Sequence, residues 1–331
     1  MIHNKLVSVI IPTYNRAALL RRALNSVFNQ TYRPIEVVIV DDGSTDDTNR
    51  IVEDWRLGKE NSDFTVIFIS QRNKGAPAAR NLGYTSSRGD YIQFFDSDDV
   101  LVEEKIEAQV LALQLHKSAS FAWSGCVTQR GAPRTHLFRV GPERWKFSRT
   151  KPTEGFRVPI ATGIFRRGAC DQIGLWTESL RRHQDWEYGV RYLASGAKSV
   201  SSDQVGYITM AHNGGRIDDL DSNTFDRIGY LEAACSSAEE KSNGPGCLAA
   251  KIRIAQYYSA AMIQSLLSGH RLSARRFLIK IRRLLPVKTA VRAKNELLYF
   301  GVVLLGARFC RFVVRHFVSN GSRIFLKKFD S

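Results

Sequence analysis

The segment Tyr91-Ile92-Gln93-Phe94-Phe95-Asp96-Ser97-Asp98-Asp99 is a short apolar run that ends in three carboxylates. Such a run is typical of a buried strand, and parallel sheets bind ligands where their strands end. Carboxylates this close raise one another's pKa unless a cation lies between them. Oxygen ligands suit a hard divalent ion such as Mg²⁺ or Mn²⁺. The alternative interpretation is a solvated turn that caps the next helix.

Strand-like and helix-like patterns alternate before this segment. Strand-like runs occupy residues 7–11, 35–40 and 65–69, and helical patterns occupy residues 17–29, 45–58 and 76–86. This alternation predicts an α/β fold, Rossmann-like, with a mostly parallel central sheet flanked by helices. Because parallel strands share their carboxyl edge, the segments that follow the four strands are expected to lie together. They are residues 12–15, 41–44, 70–73 and 96–99.

The rest of the chain is predicted to change from mixed to helical structure. A helix is expected over residues 101–116, strands and loops over 119–165, and a further helix around 185–195. From about residue 225 the pattern is helical to the end. We therefore expect a first domain over residues 1–225 and a C-terminal region with basic amphipathic helices over residues 226–331.

The net charge of +16 is concentrated near the end of the chain. Residues 1–250 contain 31 basic and 30 acidic side chains, whereas residues 251–331 contain 17 basic and 2 acidic side chains. The near-neutral charge of residues 1–250 argues against extensive nucleic-acid-binding surfaces there, and we expect no nucleic-acid partner. The five cysteines form no CxxC pair, which argues against a zinc ribbon or a disulfide framework.

The hydrophobic runs of the chain are short. The longest uncharged apolar run covers the eleven residues 297–307, whereas a membrane-spanning helix needs about 20. Residues 1–5 lack the pattern of a signal peptide. The sequence therefore predicts a cytoplasmic chain that does not cross a membrane.

Two basic amphipathic helices are predicted in the tail, over residues 269–285 and about 289–318. Each combines arginine or lysine with a face of leucine, isoleucine, valine or phenylalanine. This combination is typical of helices that lie on an anionic membrane surface, and we expect residues 269–318 to bind one. The alternative is that the apolar faces pack on protein and leave the basic faces solvated.

Four motifs follow one another within residues 5–100. They are Val7-Ser8-Val9-Ile10-Ile11-Pro12-Thr13-Tyr14-Asn15-Arg16, then Asp41-Asp42-Gly43-Ser44-Thr45-Asp46, then Asn73-Lys74-Gly75 with Ala78-Ala79-Arg80-Asn81, and Asp96-Ser97-Asp98-Asp99. Together they resemble glycosyltransferase family 2, the inverting enzymes of GT-A fold. The resemblance implies a nucleotide-sugar donor, a divalent metal (Mn²⁺ or Mg²⁺) and transfer with inversion at the anomeric carbon.

The resemblance also implies roles for single residues in binding the donor. Pro12, Tyr14 and Asp42 match the nucleoside pocket. Asn73 and Arg80 match positions that contact the donor. The alternatives are structural: the loop of Asp42 would cap the following helix, and Arg80 would be a helix side chain in solvent.

The carboxylates of the 96–99 segment resemble the DxD pair of the family. Asp96 is expected to hold hydroxyls of the ribose or the sugar. Asp98 is expected to hold the metal on the diphosphate, and Asp99 to share that role. Some relatives place a metal- or diphosphate-binding histidine later in the chain, which makes His212 a candidate ligand; a structural role is the alternative.

A base is expected in His183-Gln184-Asp185-Trp186-Glu187, which resembles the Glu-Asp motif of the family. Asp185 would accept the proton of the attacking hydroxyl. The sequence departs from the family pattern at Gln184, where Glu is common. The alternative for Asp185 is an acidic residue that merely favours the helix N-terminus.

The resemblance implies a hexosyl- or N-acetylhexosaminyltransferase of surface polysaccharide or glycolipid biosynthesis. Uridine is the commonest nucleoside in the family, so a UDP-sugar is the expected donor. The expected acceptor is a saccharide or a polyprenyl-linked saccharide, which fits a peripheral location at the inner face of the cytoplasmic membrane. Two other classes stay open: a non-catalytic nucleotide-sugar-binding protein of the same fold, and a nucleic-acid-binding protein that uses the basic tail.

Overall fold

A computed structural model describes residues 5–129, 138–140, 160–210, 224–243, 247–267, 269–285, 295–296 and 299. The described residues divide into two compact units. The first contains the described residues up to Tyr188, together with residues 197–210. The second contains Gly189–Gly196 and the described residues from 224 onward.

The first half of the first unit is a parallel sheet covered by helices. Its strands are β1 (Val7–Thr13), β2 (Ile35–Asp41), β3 (Phe64–Ser70) and β4 (Tyr91–Phe94), and its helices are α1 (Ala17–Phe28), α2 (Thr48–Arg56) and α3 (Ala76–Ser86). The strands lie in the order β3-β2-β1-β4, all parallel. Every residue of β1 and β2 is buried, as expected of strands between two helical layers. The α/β prediction is confirmed.

The second half of the sheet is mixed. It contains β5 (Val100–Leu101), β6 (Ala119–Gln129), β7 (Phe138–Val140), β8 (Gly163–Arg166) and β9 (Lys198–Met210), with helices α4 (Lys105–Leu115), α5 (Arg167–Ile173) and α6 (Gln184–Ala194). Strand β8 pairs antiparallel with both β4 and β6, whereas β9 pairs parallel with β6. Over the described residues the sheet has nine strands, and its parallel character is greatest in the half that contains β1 to β4.

Two helices begin later than the sequence predicts. Helix α2 begins at Thr48 and not at residue 45. The carboxylate of Asp46 instead accepts hydrogen bonds from the backbone N–H of Ala17 at 3.0 Å and of Thr48 at 3.1 Å, so the preceding residues form a braced loop. Helix α4 begins at Lys105 and not at residue 101, because Val100–Leu101 pairs with β9 as a short strand.

A polar network lies inside the core of the first unit. The Lys105 side chain is fully buried and donates hydrogen bonds to the side-chain oxygens of Gln93 and Gln109. The amide of Gln93 donates to the carbonyl of Ala161 at 2.8 Å, and that of Gln109 to the carbonyl of Thr162 at 2.8 Å. Burial lowers the pKa of Lys105 well below its usual value. The network therefore connects β4, α4 and the segment that precedes β8.

The second unit contains α7 (Thr224–Lys241), α8 (Cys247–Leu267) and α9 (Arg271–Leu284). Helix α9 confirms the first helix predicted in the tail. Its apolar face is buried against the unit itself: Phe277 stacks on Tyr258 of α8 with ring centroids 6.0 Å apart, and Ile281 is fully buried. For this face the structure therefore shows the packing alternative.

The described residues leave the second predicted tail helix and the division into two domains untested. Of the second predicted helix, over 289–318, all but residues 295, 296 and 299 lie outside the described part of the chain. None of the described helices combines the length and the hydrophobicity that a membrane crossing requires. The domain division at residues 225 and 226 stays a prediction.

Candidate active site

The segments predicted to form the site follow strands β1 to β4, and the strand order of the sheet reverses at β1. Strands β2 and β3 lie on one side of β1, whereas β4 lies on the other. At such a point the loops after the two central strands diverge, and the carboxyl edge of the sheet opens into a crevice. The segment after β1 and the acidic segment after β4 follow the two strands on either side of this switch point. The sequence prediction that these segments meet at one edge is confirmed.

The loop after β1 is held to the loop after β2. Asn15 adopts a left-handed backbone conformation with φ of 50°. Its backbone N–H donates to Ser44 Oγ at 2.9 Å, and its side-chain oxygen accepts from the backbone N–H of Thr45 at 2.8 Å. In the same loop Pro12 is buried, whereas Tyr14 is 46% exposed. The braced loop therefore presents an aromatic ring to solvent at the edge of the sheet.

Asp42 organises the loop that contains Asn73. Its buried carboxylate accepts hydrogen bonds from the Gln71 side chain at 2.7 Å and from the backbone N–H of Lys74 and Gly75 at 2.9 and 2.7 Å. Three protein donors thus surround both of its oxygens. Asn73 itself is exposed on this loop. Direct binding of a nucleoside by Asp42 stays a prediction, and the shaping of the loop is what the structure shows.

Gly43 allows the same loop to lie close to the end of β2. Its φ of 81° is in the left-handed region, and a Cβ there would lie 3.0 Å from the backbone nitrogen of Asn73. A larger residue would be strained in its backbone and would push the loop away.

Arg80 connects the acidic segment after β4 to the start of helix α6. Its guanidinium, 7% exposed as a residue, donates to Asp96 Oδ1 at 3.0 Å and to Gln184 Oε1 at 3.0 Å. It also lies over the ring of Trp176, 4.7 Å from the centroid, an arrangement that favours a cation. Arg80 is therefore a buried and fixed cation, and the solvated alternative is wrong.

Asp185 lies in the first turn of α6 and is partly buried. Burial raises the pKa of Asp185 to about 6; the Asp96 carboxylate acts in the same direction, and the Arg80 guanidinium opposes it. The residue before the helix, His183, has a φ of 59°, an uncommon conformation for a residue with a side chain. The structure thus places a carboxylate with a base-like pKa beside the Arg80–Asp96 pair.

Gln184 contacts Arg80 at this site, whereas the sequence identifies it only as a departure from the family pattern. Its oxygen accepts from Arg80, while its nitrogen donates to the carbonyl of Leu180 at 2.9 Å and of Arg181 at 3.2 Å. A carboxylate at this position would have no donor for those two carbonyls. In the sequence, the position of Gln184 directly before the predicted base Asp185 is the signal that could have indicated a role for Gln184.

The acidic segment after β4 contains three carboxylates in different environments. Asp96 is partly exposed beside Arg80, and the backbone carbonyl of Asp98 accepts from Arg22 at 2.9 Å. Asp99 is buried, and its carboxylate accepts from the Tyr207 hydroxyl and, at 2.8 Å, from the backbone N–H of Met210. Burial raises the pKa of Asp99 to about 7, with Asp96 and Asp98 adding to the rise.

The donor set of this segment fits a hard divalent ion. Its side chains offer oxygen ligands alone, and Asp98 is partly exposed. Within the described ranges, no three His, Cys, Asp or Glu side chains converge as a self-contained metal site would require. Such an ion would therefore take one or two ligands from the described residues and complete its shell with water, phosphate oxygens or a ligand from elsewhere in the chain. His212 lies outside the described residues, and the ligand roles of Asp98 and Asp99 stay predictions.

Comparison with solved structures shows the fold. Residues 1–349 of S. aureus TarS, crystallised with UDP-GlcNAc, superpose with a TM-score of 0.67 at 18% identity over 96% of this chain and 95% of that one. The mannosyltransferase PcManGT from Pyrobaculum calidifontis, solved with GDP-Man and Mn²⁺, superposes with a TM-score of 0.54 at 16% identity over 100% and 89% of the two chains. The fold is of GT-A type, as predicted.

Sequence comparison identifies the family. WfaP of Escherichia coli, a UDP-Glc:alpha-D-GlcNAc-diphosphoundecaprenol beta-1,3-glucosyltransferase, is 36% identical over 140 residues, which is 42% of this chain and 53% of WfaP. The curated relatives are matched over 14% to 59% of their own lengths. The sequence model of glycosyl transferase family 2 matches residues 8–173, which include the carboxyl ends of β1, β2, β3 and β4. The chain belongs to glycosyltransferase family 2.

Proposed function

We propose that this protein transfers a sugar from a nucleotide-sugar donor to a hydroxyl of a saccharide or lipid-linked saccharide, with inversion. A UDP-sugar is the expected donor, and the product belongs to a surface polysaccharide or glycolipid. The observation that carries the proposal is the position of Arg80, which pairs with Asp96 and bonds to the residue before Asp185. This cluster combines a cation for phosphate, a carboxylate for hydroxyls and a carboxylate base.

The donor binds along the carboxyl edge in this proposal. The nucleoside lies against Pro12 and Tyr14, where the exposed ring of Tyr14 offers a stacking surface. Asp42 maintains the loop from which Asn73 contacts the donor. Asp96 accepts hydrogen bonds from ribose or sugar hydroxyls, and Arg80 faces the diphosphate, whose charge a fixed guanidinium favours.

Asp185 acts as the general base in this proposal. The attacking hydroxyl gives its proton to the carboxylate as its oxygen bonds to the anomeric carbon, and the nucleoside diphosphate leaves from the opposite face. One displacement of this kind inverts the anomeric configuration. A base whose pKa is about 6 is largely ionised at neutral pH and still accepts a proton readily.

Asp98 is the proposed main ligand for Mn²⁺ or Mg²⁺, with Asp99 and His212 as further ligands. When bound there, the ion supplies Lewis-acid stabilisation of the charge on the leaving diphosphate. Arg22 fixes the backbone at Asp98, and the contacts of Asp99 hold the segment to β9. PcManGT, which shares the fold, was solved with Mn²⁺.

The acceptor is proposed to lie at a membrane. The name of WfaP specifies a diphosphoundecaprenol-linked acceptor, which supports a polyprenyl-linked saccharide for this chain. In this arrangement residues 1–225 catalyse transfer. Residues 226–331 locate the enzyme at the inner face of the cytoplasmic membrane, with 269–318 at the anionic surface.

The test is a donor screen with the full-length chain. UDP-Glc, UDP-GlcNAc and GDP-Man are each incubated with Mn²⁺ and a panel of saccharide and polyprenyl-linked acceptors, and release of the nucleoside diphosphate is measured. We expect acceptor-dependent release that EDTA abolishes and that Asp185→Asn lacks. Donor binding without release for every acceptor would instead identify a non-catalytic binding protein.

A further inference from the structure

Helix α9 has a second face that the amphipathic pattern does not predict. Opposite the buried residues Phe277 and Ile281, the side chains of Leu272 and Ile279 are 80% and 40% exposed. They lie seven residues apart, which is about two helical turns, so both point to the same side roughly 10 Å from each other. Single exposed apolar residues are ordinary, but two in register on one short helix form a ridge.

Arginines surround this ridge. The exposed cations of α9 are Arg271, Arg275, Arg276, Arg282 and Arg283, and the helix contains no acidic residue. Arg276 pairs with Glu232 at 3.1 Å, and Arg282 pairs with Glu296 at 3.0 Å. No described carboxylate forms an ion pair with the other three. On a helical projection the ridge lies among these arginines, whereas the buried residues occupy the opposite side.

We infer that this arginine face, comprising the five arginines with Leu272 and Ile279, docks on an anionic lipid bilayer. The inference rests on the proposed membrane location and names the surface that achieves it. Guanidinium groups bind lipid phosphates with paired hydrogen bonds, while the two apolar side chains reach the boundary between headgroups and acyl chains.

The apolar ridge favours a bilayer over a nucleic acid. A phosphate backbone offers charge and hydrogen-bond acceptors but no apolar layer for Leu272 and Ile279. An anionic bilayer offers both, so there the arginines of this face can bind phosphates while its two apolar side chains leave water. The helix can dock without unfolding, because its other face is already buried against α8.

Flotation of the full-length chain with lipid vesicles tests the inference. Vesicles of phosphatidylcholine are compared with vesicles that also contain phosphatidylglycerol. Leu272→Ser/Ile279→Ser is matched with Leu248→Ser, an exposed leucine on α8, and Arg271→Gln/Arg275→Gln is matched with Lys117→Gln/Lys251→Gln, which removes the same charge elsewhere. We expect each face variant to lower partitioning to anionic vesicles about tenfold or more, and the control variants to change it little.

Each outcome decides between the possibilities. Equal partitioning of face and control variants would overturn the inference, because the tail would then bind without this face. Loss of duplex DNA binding in Arg271→Gln/Arg275→Gln, with vesicle binding intact, would assign the face to nucleic acid instead. If the unaltered protein binds no vesicles, the membrane location itself fails, while transfer to a water-soluble acceptor still tests the catalytic proposal separately.

Discussion

Arg80 donates hydrogen bonds to Asp96 and Gln184, both at 3.0 Å, and so connects the acidic end of β4 to the first turn of α6. The two partners are 88 positions apart in the chain. The contact with Asp96 is also an ion pair, whereas Gln184 contributes only a neutral amide oxygen. In the proposed reaction Arg80 faces the donor diphosphate from this fixed position.

Replacement of Arg80 is expected to impair donor use strongly. Arg80→Ala should lower kcat/KM by about 100-fold or more, since it removes a preorganised cation from the site. Arg80→Lys should recover little, because an ammonium group cannot repeat the forked geometry to both partners. Steady-state kinetics with varied donor measure the effect, and thermal unfolding separates it from loss of fold. An Arg80→Lys enzyme with unaltered kcat/KM would contradict the assigned geometry.

Gln184→Glu is expected to alter the pH dependence of transfer. The new carboxylate lies next to Asp185 and competes for Arg80, and both effects favour the protonated form of Asp185. The acidic limb of the kcat/KM profile should therefore move to higher pH by roughly one unit. Gln184→Met, which removes the hydrogen bonds without adding charge, is the control. A profile that shifts equally in both variants would show that the charge of residue 184 does not matter.

Asp185→Asn is expected to lower kcat by about 100- to 10,000-fold while donor affinity is retained, because the amide cannot accept the proton. For the unaltered enzyme, activity should rise with pH as Asp185 loses its proton, with the midpoint near its pKa of about 6. Rapid-quench kinetics and donor titration measure the two quantities. Retention of the pH midpoint in an active Asp185→Asn enzyme would assign the base elsewhere.

Asp98→Ala and Asp99→Ala are expected to differ in their effect on stability. Removal of the Asp98 carboxylate should lower turnover at least ~100-fold with little change in unfolding temperature. Removal of the Asp99 carboxylate leaves the Tyr207 hydroxyl and the Met210 N–H without their acceptor and should cost about 1–3 kcal/mol of stability. Kinetics and thermal denaturation of the pair check both statements, and an active Asp98→Ala enzyme would refute the ligand role.

Lys105→Met is expected to remove a pH dependence of stability. Burial lowers the pKa of Lys105 in the folded chain, so the unfolded chain binds more protons below the ordinary lysine pKa. Stability should therefore rise with pH between the lowered value and the ordinary value of 10.5. The free energy of unfolding at pH 7 and pH 9.5 should increase more for the unaltered protein than for Lys105→Met. Parallel curves would mean that Lys105 is charged in the fold.

The sequence predicts the parallel half of the sheet well because each of its strands carries its own evidence. β1 and β2 are apolar at almost every position, since helices cover both of their faces, and a polar motif marks each strand end. The approach of the strand ends follows from the topology alone. For this reason Asp96 could be named from the sequence at the end of a strand, and the family resemblance named Arg80, although neither predicted the hydrogen bond between them.

The elements that the sequence does not predict depend on distant partners. Strand β5 has two residues and exists because β9 pairs with it, and the start of α2 is set by Asp46 contacts with another loop. Helix α9 shows a third case. Its amphipathic pattern predicts the helix itself correctly, but a periodic pattern does not distinguish α8 from a bilayer as the surface that covers the apolar face.

The ring of Trp176 lies between Arg80 and Tyr188, with the Tyr188 ring stacked at 4.3 Å and an interplanar angle of 14°. The fluorescence of an indole depends strongly on charges near its ring. Any ligand that draws the guanidinium away from this face therefore alters the emission of Trp176, which subtraction of a Trp176→Phe spectrum isolates from the other four tryptophans. The stacking of Arg80, Trp176 and Tyr188 therefore makes the emission of Trp176 a measure of ligand binding in solution, without a label or a turnover assay.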